Sequence, residues 1–268
     1  LIEKARMEGL DVTVDQYPYT ASSTSLSVLL PSWALADGDS AMKARLNDPK
    51  IRKKITGQMR HTIVDRNGRY RLDYAYVSRC QWDSTLNGKN ISQINRGWKR
   101  KGTLSNEIQT VLDMVEKGGA GMVYHTMSEE DVQRIMKYPY SMVGSDAGVI
   151  QFGSGVPHPR GYGSNARVLA EYVRHKKVLR IEEAIRKMTS FPAQRFRLVD
   201  RGLIRPGMWA DIVVFDEKTV ADKATFQKPH AYSEGFAYVL VNGETVIDHG
   251  VHTGARPGKV LLGPGVTP

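Results

Sequence analysis

The sequence predicts an α/β fold followed by an all-β module, and three observations carry that prediction. The chain opens as helix, tight turn and strand, the repeating unit of α/β proteins. Further on, short apolar strands alternate with helices of 3.6-residue period. From Val199 the texture changes to short β-rich runs punctuated by Gly and Pro.

Leu1 to Glu8 has the composition of the last turns of a helix, with Gly9 in the C′ position. A start on this helix, without an initiator Met, is expected of a fragment that begins inside a domain. Leu10 to Tyr17 alternates apolar and polar residues and is rich in strand formers, so a strand is expected there, stopped by Pro18. Thr20 to Ser25 is a polar stretch. Residues 40 to 60 have a basic helical pattern broken at Asp48-Pro49, and Arg71 to Ser78 alternates as a strand. Residues 87 to 100 have the texture of loop and turn. Ile108, Val111, Leu112 and Val115 place one apolar face on a helix over Ser105 to Lys117.

Gly121 to His125 is a short apolar strand. Ser128 caps a helix whose first turn is acidic, which suits the helix dipole, and which ends near Pro139. Ser141 to Asp146 is a strand with the aspartate at its C-terminal end. A Gly-rich loop over 147–165 holds His158-Pro159-Arg160, and helices follow over Ala166 to Arg174, Ile181 to Thr189 and Pro192 to Leu198. In the β module, Ala210 to Phe215, Phe236 to Val241 and Thr245 to His249 are strands. Asn242-Gly243 between the last two is a strong hairpin signal. The class change sets a domain boundary near residue 199.

The 268 residues carry 38 Lys and Arg against 28 Asp and Glu, a formal charge of +10. The bases are dispersed, so no nucleic-acid tail is indicated. Cys80 is the single cysteine, which excludes an intrachain disulfide and fits a cytoplasmic setting. No run is long and apolar enough for a membrane span, and no signal peptide is visible. His-x-His, His-Glu-x-x-His, Gly-x-Gly-x-x-Gly and Walker patterns are all absent, so no complete zinc or nucleotide site of recognisable spacing occurs.

Tyr17, His125 and Asp146 stand at predicted strand C-termini, where (β/α)₈ barrels place their active sites. Each has a plainer alternative. Asp146 serves equally as a helix cap or loop anchor, Tyr17 as a packing ring, and His125 as a bonded core histidine. Arg160 is either a fork for a carboxylate ligand or a surface salt bridge, and His158 is either a ligand or merely exposed.

Several stretches together resemble the D-aminoacylases, N-acyl-D-amino-acid deacylases of the amidohydrolase superfamily. They are Asp15-Gln16-Tyr17-Pro18-Tyr19-Thr20-Ala21-Ser22-Ser23-Thr24, Met127 to Val132, Gly144-Ser145-Asp146 and His158-Pro159-Arg160. The run continues with Lys187-Met188-Thr189-Ser190-Phe191-Pro192-Ala193, Asp200 to Ile204 and Gly207 to Phe215. The resemblance implies the C-terminal part of a (β/α)₈ TIM-like metal-dependent hydrolase barrel over 1–198, with an insertion around 30–105. It implies C-terminal strands of a composite β-sandwich over 199–268. It implies Asp146 as the general acid/base lying at the metal, and Tyr17, Ser23 and Arg160 as substrate-binding positions. The implied cofactor is Zn²⁺, with most of its ligands upstream of Leu1. The implied substrate is a small N-acyl-D-amino acid, with no nucleic-acid or membrane partner. The competing expectations are a dihydroorotase-like cyclic amidase and a catalytically incomplete fragment.

Overall fold

A computed structural model describes residues 1–262. The chain divides into two units, each assembled from separated segments. The first takes Leu1–Tyr19, Ser128–Val149 and the chain from Pro159 onward, and the second takes Thr20–Met127 and Ile150–His158. Residues 263–268, part of the expected β module, lie outside the described residues.

In the first unit, β1 (Val14–Gln16) pairs in parallel with β5 (Ser141–Val143), Asp15 facing Met142. Both strands are much shorter than the runs expected from sequence. The helix Ile2–Met7 precedes β1, and Gly9 turns the chain with φ +87°. The helix Glu129–Lys137, capped by the Ser128 side chain, leads into β5 and buries Val132 and Met136. After β5 come the helix Arg160–Arg167, its continuation Val168–His175, and the helices Ile181–Met188 and Ser190–Arg195. Helix therefore begins at Arg160, inside the segment expected to be loop. The core of this unit gathers Val132, Met136, Ala166, Val168, Leu169, Tyr172, Ala184 and Val220.

The same unit carries an antiparallel sheet of β6 (Ile212–Phe215), β7 (Phe236–Val241), β8 (Glu244–Asp248) and β9 (Val251–His252). Asn242 and Gly243 form the β7–β8 turn with φ of 51° and 85°. Two positive φ values in succession are what a type I′ hairpin demands, and Asn-Gly supplies them at least cost. All six β7 residues are half-buried.

The second unit is built on a three-stranded antiparallel sheet of β2 (Ser22–Ser25), β4 (Gly121–Tyr124) and β3 (Ala75–Arg79), with β4 central. Helices Gly38–Asn47, Pro49–His61, Ile91–Gly97 and Leu104–Glu116 bury its core, which includes Leu26, Leu46, Ile55, Met59, Leu72, Ile108, Leu112 and Met122. Asp48 caps the second of these helices, accepting from Lys50 N and Ile51 N. Glu107 is a fully buried carboxylate, made tolerable by Arg71 Nε at 2.7 Å and the Leu72 amide at 2.7 Å.

Three sequence expectations are corrected here. Ser22–Ser25 is a strand rather than a polar connector, because the β4 ladder satisfies its backbone. Ile91–Gly97 is a helix, with Asn90 and Gln93 forming a reciprocal capping box. The Gly121–His125 strand is the middle of an antiparallel sheet, so His125 does not share the parallel setting of Tyr17 and Asp146.

Candidate active site

The site is anchored by β1 and β5. Tyr17 follows directly on β1, and Asp146 stands three residues past β5. The Gly144 amide donates to the Gln16 carbonyl at 3.0 Å, extending the ladder toward both residues. Asp146 has φ +48°, a left-handed conformation in which Asp and Asn are the least penalised side chains after Gly. Its carboxylate is 69% exposed and pairs with Arg160, Oδ2 to Nη1, at 2.8 Å.

Arg160 is the buried partner, only 9% exposed at its side chain, in the first turn of Arg160–Arg167. Its guanidinium carbon lies 4.6 Å from the Tyr17 ring centroid, a cation–π distance. Tyr17, Asp146 and Arg160 thus form one contiguous cluster. Burial raises the Tyr17 pKa above its ordinary value; Arg160 opposes the rise and Asp146 adds to it. The phenol is therefore protonated at neutral pH. A cavity of about 410 Å³ adjoins the cluster, lined by Ser145, Arg160, Tyr162, Ser164, Ser233 and Phe236 among others.

Residues beyond these three hold the cluster. Arg167 Nε donates to the Pro18 carbonyl at 2.9 Å, and its Nη1 pairs with Asp222 at 3.1 Å. Its guanidinium also lies 5.0 Å from the Tyr19 ring centroid. The Tyr17-Pro18-Tyr19 turn is thereby fixed from a distant helix. Gly163 permits the approach, because a Cβ there would meet Tyr19 Oη at 2.7 Å and Asp222 Cβ at 2.9 Å. Nothing in the sequence flags Arg167 or Asp222, since both act through residues far away in the chain.

The remaining sequence candidates, Ser23, His125 and His158, belong to the second unit. Ser23 Oγ donates to the Met122 carbonyl at 2.9 Å. His158 is 3% exposed, not merely exposed surface, and its Nε2 donates to the Ala21 carbonyl at 2.9 Å. The His125 amide donates to Tyr74 O at 2.9 Å, and its ring meets Tyr76 edge-on with centroids 5.4 Å apart. Burial lowers the His125 pKa below 6.5, so its imidazole is neutral at neutral pH.

The fit to zinc is incomplete. A catalytic zinc takes three protein donors, and no group of three His, Cys, Asp or Glu that could hold a metal occurs among the described residues. Asp146 offers one carboxylate, and the described residues do not supply a zinc site by themselves. No described helix is long and apolar enough to cross a membrane.

The family model described as "Amidohydrolase family" matches residues 46–247. An N-acyl-D-glutamate deacylase of Alcaligenes xylosoxydans xylosoxydans is 34% identical over 263 residues, which is 97% of this chain and 43% of that protein. A solved D-aminoacylase variant in complex with copper chloride superposes with a TM-score of 0.71 at 30% identity, over 97% of this chain and 44% of the other. The N-acyl-D-glutamate deacylase of Bordetella bronchiseptica, solved with zinc and a phosphonate mimic of the tetrahedral intermediate, superposes at 0.66 and 32% identity. That match covers 91% of this chain and 41% of the other. The chain thus spans less than half the length of these relatives.

Proposed function

Because the chain belongs to the amidohydrolase family, we propose that it supplies the carboxylate-binding and proton-transfer half of an N-acyl-D-amino-acid deacylase. The reaction hydrolyses the amide bond of an N-acyl-D-amino acid to a carboxylate and a free D-amino acid. The observation that carries this reading is the cluster of Asp146, Arg160 and Tyr17, with its 2.8 Å ion pair and 4.6 Å ring contact. It is supported by 34% identity to an N-acyl-D-glutamate deacylase along 97% of the chain.

In this reading residues 1–198 are part of a (β/α)₈ barrel, with β1 and β5 as two of its parallel strands and an insertion around 30–105. Residues 199–268 are strands of a composite β-sandwich. Zinc, as in the Bordetella bronchiseptica relative, polarises the amide carbonyl when bound. Its site requires donors beyond those described here.

This chain's own residues act as follows. Arg160 takes the substrate α-carboxylate, because its planar donors match that geometry, and so orients the scissile amide. The substrate carboxylate exchanges with Asp146 as the partner of Arg160, and Asp146 is released toward the reaction centre. The carboxylate of Asp146 removes a proton from the attacking water and returns it to the departing amine. The Tyr17 hydroxyl, protonated at neutral pH, donates to the substrate.

The test is release of D-amino acid from N-acyl-D- and N-acyl-L-amino acids by a polypeptide of the relatives' length containing this chain. Hydrolysis of the D-enantiomer with Asp146→Asn lowering kcat by about 10²- to 10⁴-fold is expected. Asn is the informative substitution because it accepts the left-handed backbone at φ +48°. Near-normal kcat in Asp146→Asn removes Asp146 from proton transfer, and equal turnover of the L-enantiomer removes the D-amino-acid reading.

A further inference from the structure

Lys187, within the Lys-Met-Thr-Ser-Phe-Pro-Ala run, has its side chain only 1% exposed. A buried ammonium is tolerated only when its donors are satisfied and a counter-charge lies near. Both conditions hold. Nζ donates to the Tyr138 carbonyl at 2.6 Å, the Ser141 carbonyl at 2.9 Å and Ser141 Oγ at 3.2 Å. Glu183, one helical turn earlier, places Oε1 at 3.4 Å.

These contacts converge on one place, the turn that enters β5. That strand has three residues and pairs with β1 alone among the described strands. Three rungs are a weak hold on register, and a one-residue slip would turn every β5 side chain to the opposite face. The ammonium fixes the first residue of β5 independently of the ladder. The other end of β5 leads through Gly144 and Ser145 to Asp146.

We propose that Lys187 is a positioning residue, whose ammonium locks the entry of β5 and thereby sets where Asp146 meets Arg160 and Tyr17. The effect on turnover rests on the deacylase reading of Asp146; the effect on β5 does not.

Two measurements separate these levels. Hydrogen–deuterium exchange on this chain is compared for wild type, Lys187→Met and Lys187→Arg. Exchange in peptides covering 138–146 should accelerate roughly 10- to 100-fold in Lys187→Met and recover in part in Lys187→Arg. Peptides covering 236–248 and 104–116 should keep their wild-type rates. Unchanged exchange over 138–146, or equal acceleration throughout, overturns the proposal. Glu183→Gln and Ser141→Ala are gentler variants on the same contacts. Should Lys187→Met fail to fold, they must still loosen 138–146 selectively, or the proposal falls.

Kinetics in the relatives-length polypeptide form the second arm. Lys187→Met should lower kcat by about 10²-fold, the scale of a 1 Å misplacement, with KM changed far less because Arg160 keeps its place. Selective loosening with unchanged kcat overturns the link to Asp146. A wild type without deacylase activity overturns the function proposed above and leaves the exchange result to decide the role of Lys187 in β5.

Discussion

Replacing Arg160 with methionine separates the carboxylate clamp from everything else that side chain does. Met keeps an unbranched apolar stem in a site that is 9% exposed, so packing is largely preserved. Two effects follow. The cation–π contact with Tyr17, at 4.6 Å, is worth about 0.5–2 kcal/mol, or a roughly 2- to 30-fold loss at 1.4 kcal/mol per decade. This loss is common to all substrates. Any loss from freeing Asp146, which pairs with Arg160 at 2.8 Å, is likewise common to all substrates. The second effect applies only to substrates with a free carboxylate. A hydrogen bond to a charged group contributes about 1.5–3 kcal/mol, so roughly 10- to 150-fold in kcat/KM is lost in addition. The assay is steady-state hydrolysis of an N-acetyl-D-amino acid and of its carboxamide by wild type and Arg160→Met, in the relatives-length polypeptide. The ratio of the two losses isolates the clamp. Equal losses on acid and carboxamide would refute it and leave Arg160 as a support for Asp146 and Tyr17 alone.

The His125 imidazole should titrate below pH 6.5 in a two-dimensional NMR series, because burial disfavours its charged form; a midpoint at or above 6.5 contradicts that. For Glu129, burial pushes the carboxyl upward, but the Lys176 ammonium at 2.6 Å, with Gln133 and Tyr172, outweighs it and holds the group below its ordinary 4.5. A depressed carboxylate stabilises the fold above the unfolded value and loses that contribution as pH falls through the folded one. Denaturant midpoints should therefore drop below pH 4.5, and less steeply in Glu129→Gln; identical slopes would remove Glu129 from the acid limb. Gly163→Ala should destabilise the chain by about 1–3 kcal/mol, since the new Cβ lands 2.7 Å from Tyr19 Oη, and an unchanged urea midpoint would show that Tyr19 yields freely.

Much of the helical framework is legible in sequence because burial imposes a period. Ile108, Val111, Leu112 and Val115 define a face and are all buried in Leu104–Glu116. The β7–β8 hairpin is equally plain, because Asn242-Gly243 is a local chemical requirement. Ser22–Ser25 is invisible as a strand, since it has serines and a threonine where a half-buried strand would alternate apolar residues. Its strand character comes from β4, nearly a hundred residues away. The Ile91–Gly97 helix left a usable sign in Asn90 and Gln93, a capping pair without an apolar run after it long enough to notice. At the site, the strand-end position singles out Tyr17 and Asp146, but no local pattern joins either to Arg160. The resemblance to the deacylases suggests the three, and the β1–β5 pairing is what brings the first two together. Arg167, Asp222 and Lys187 act through backbone carbonyls and distant side chains, which leave no periodic trace.

The interleaving of the two units constrains the order in which a nascent chain acquires structure. The chain leaves the first unit after Tyr19, returns at Ser128, leaves again after Val149 and returns at Pro159. During synthesis β5, the partner of β1 among the described strands, emerges only after nearly all of the second unit. Most of that second unit is already contiguous in Thr20–Met127 and carries its own core. Such long-range pairings are slow because loop closure precedes the contacts that reward it. The second unit should therefore be the early folder, and the parallel pair beneath Asp146 among the last elements to form. Grafting follows the same logic. Moving the second unit into another scaffold requires four junctions, at 19/20, 127/128, 149/150 and 158/159, and a graft limited to Thr20–Met127 leaves behind His158 and its bond to Ala21.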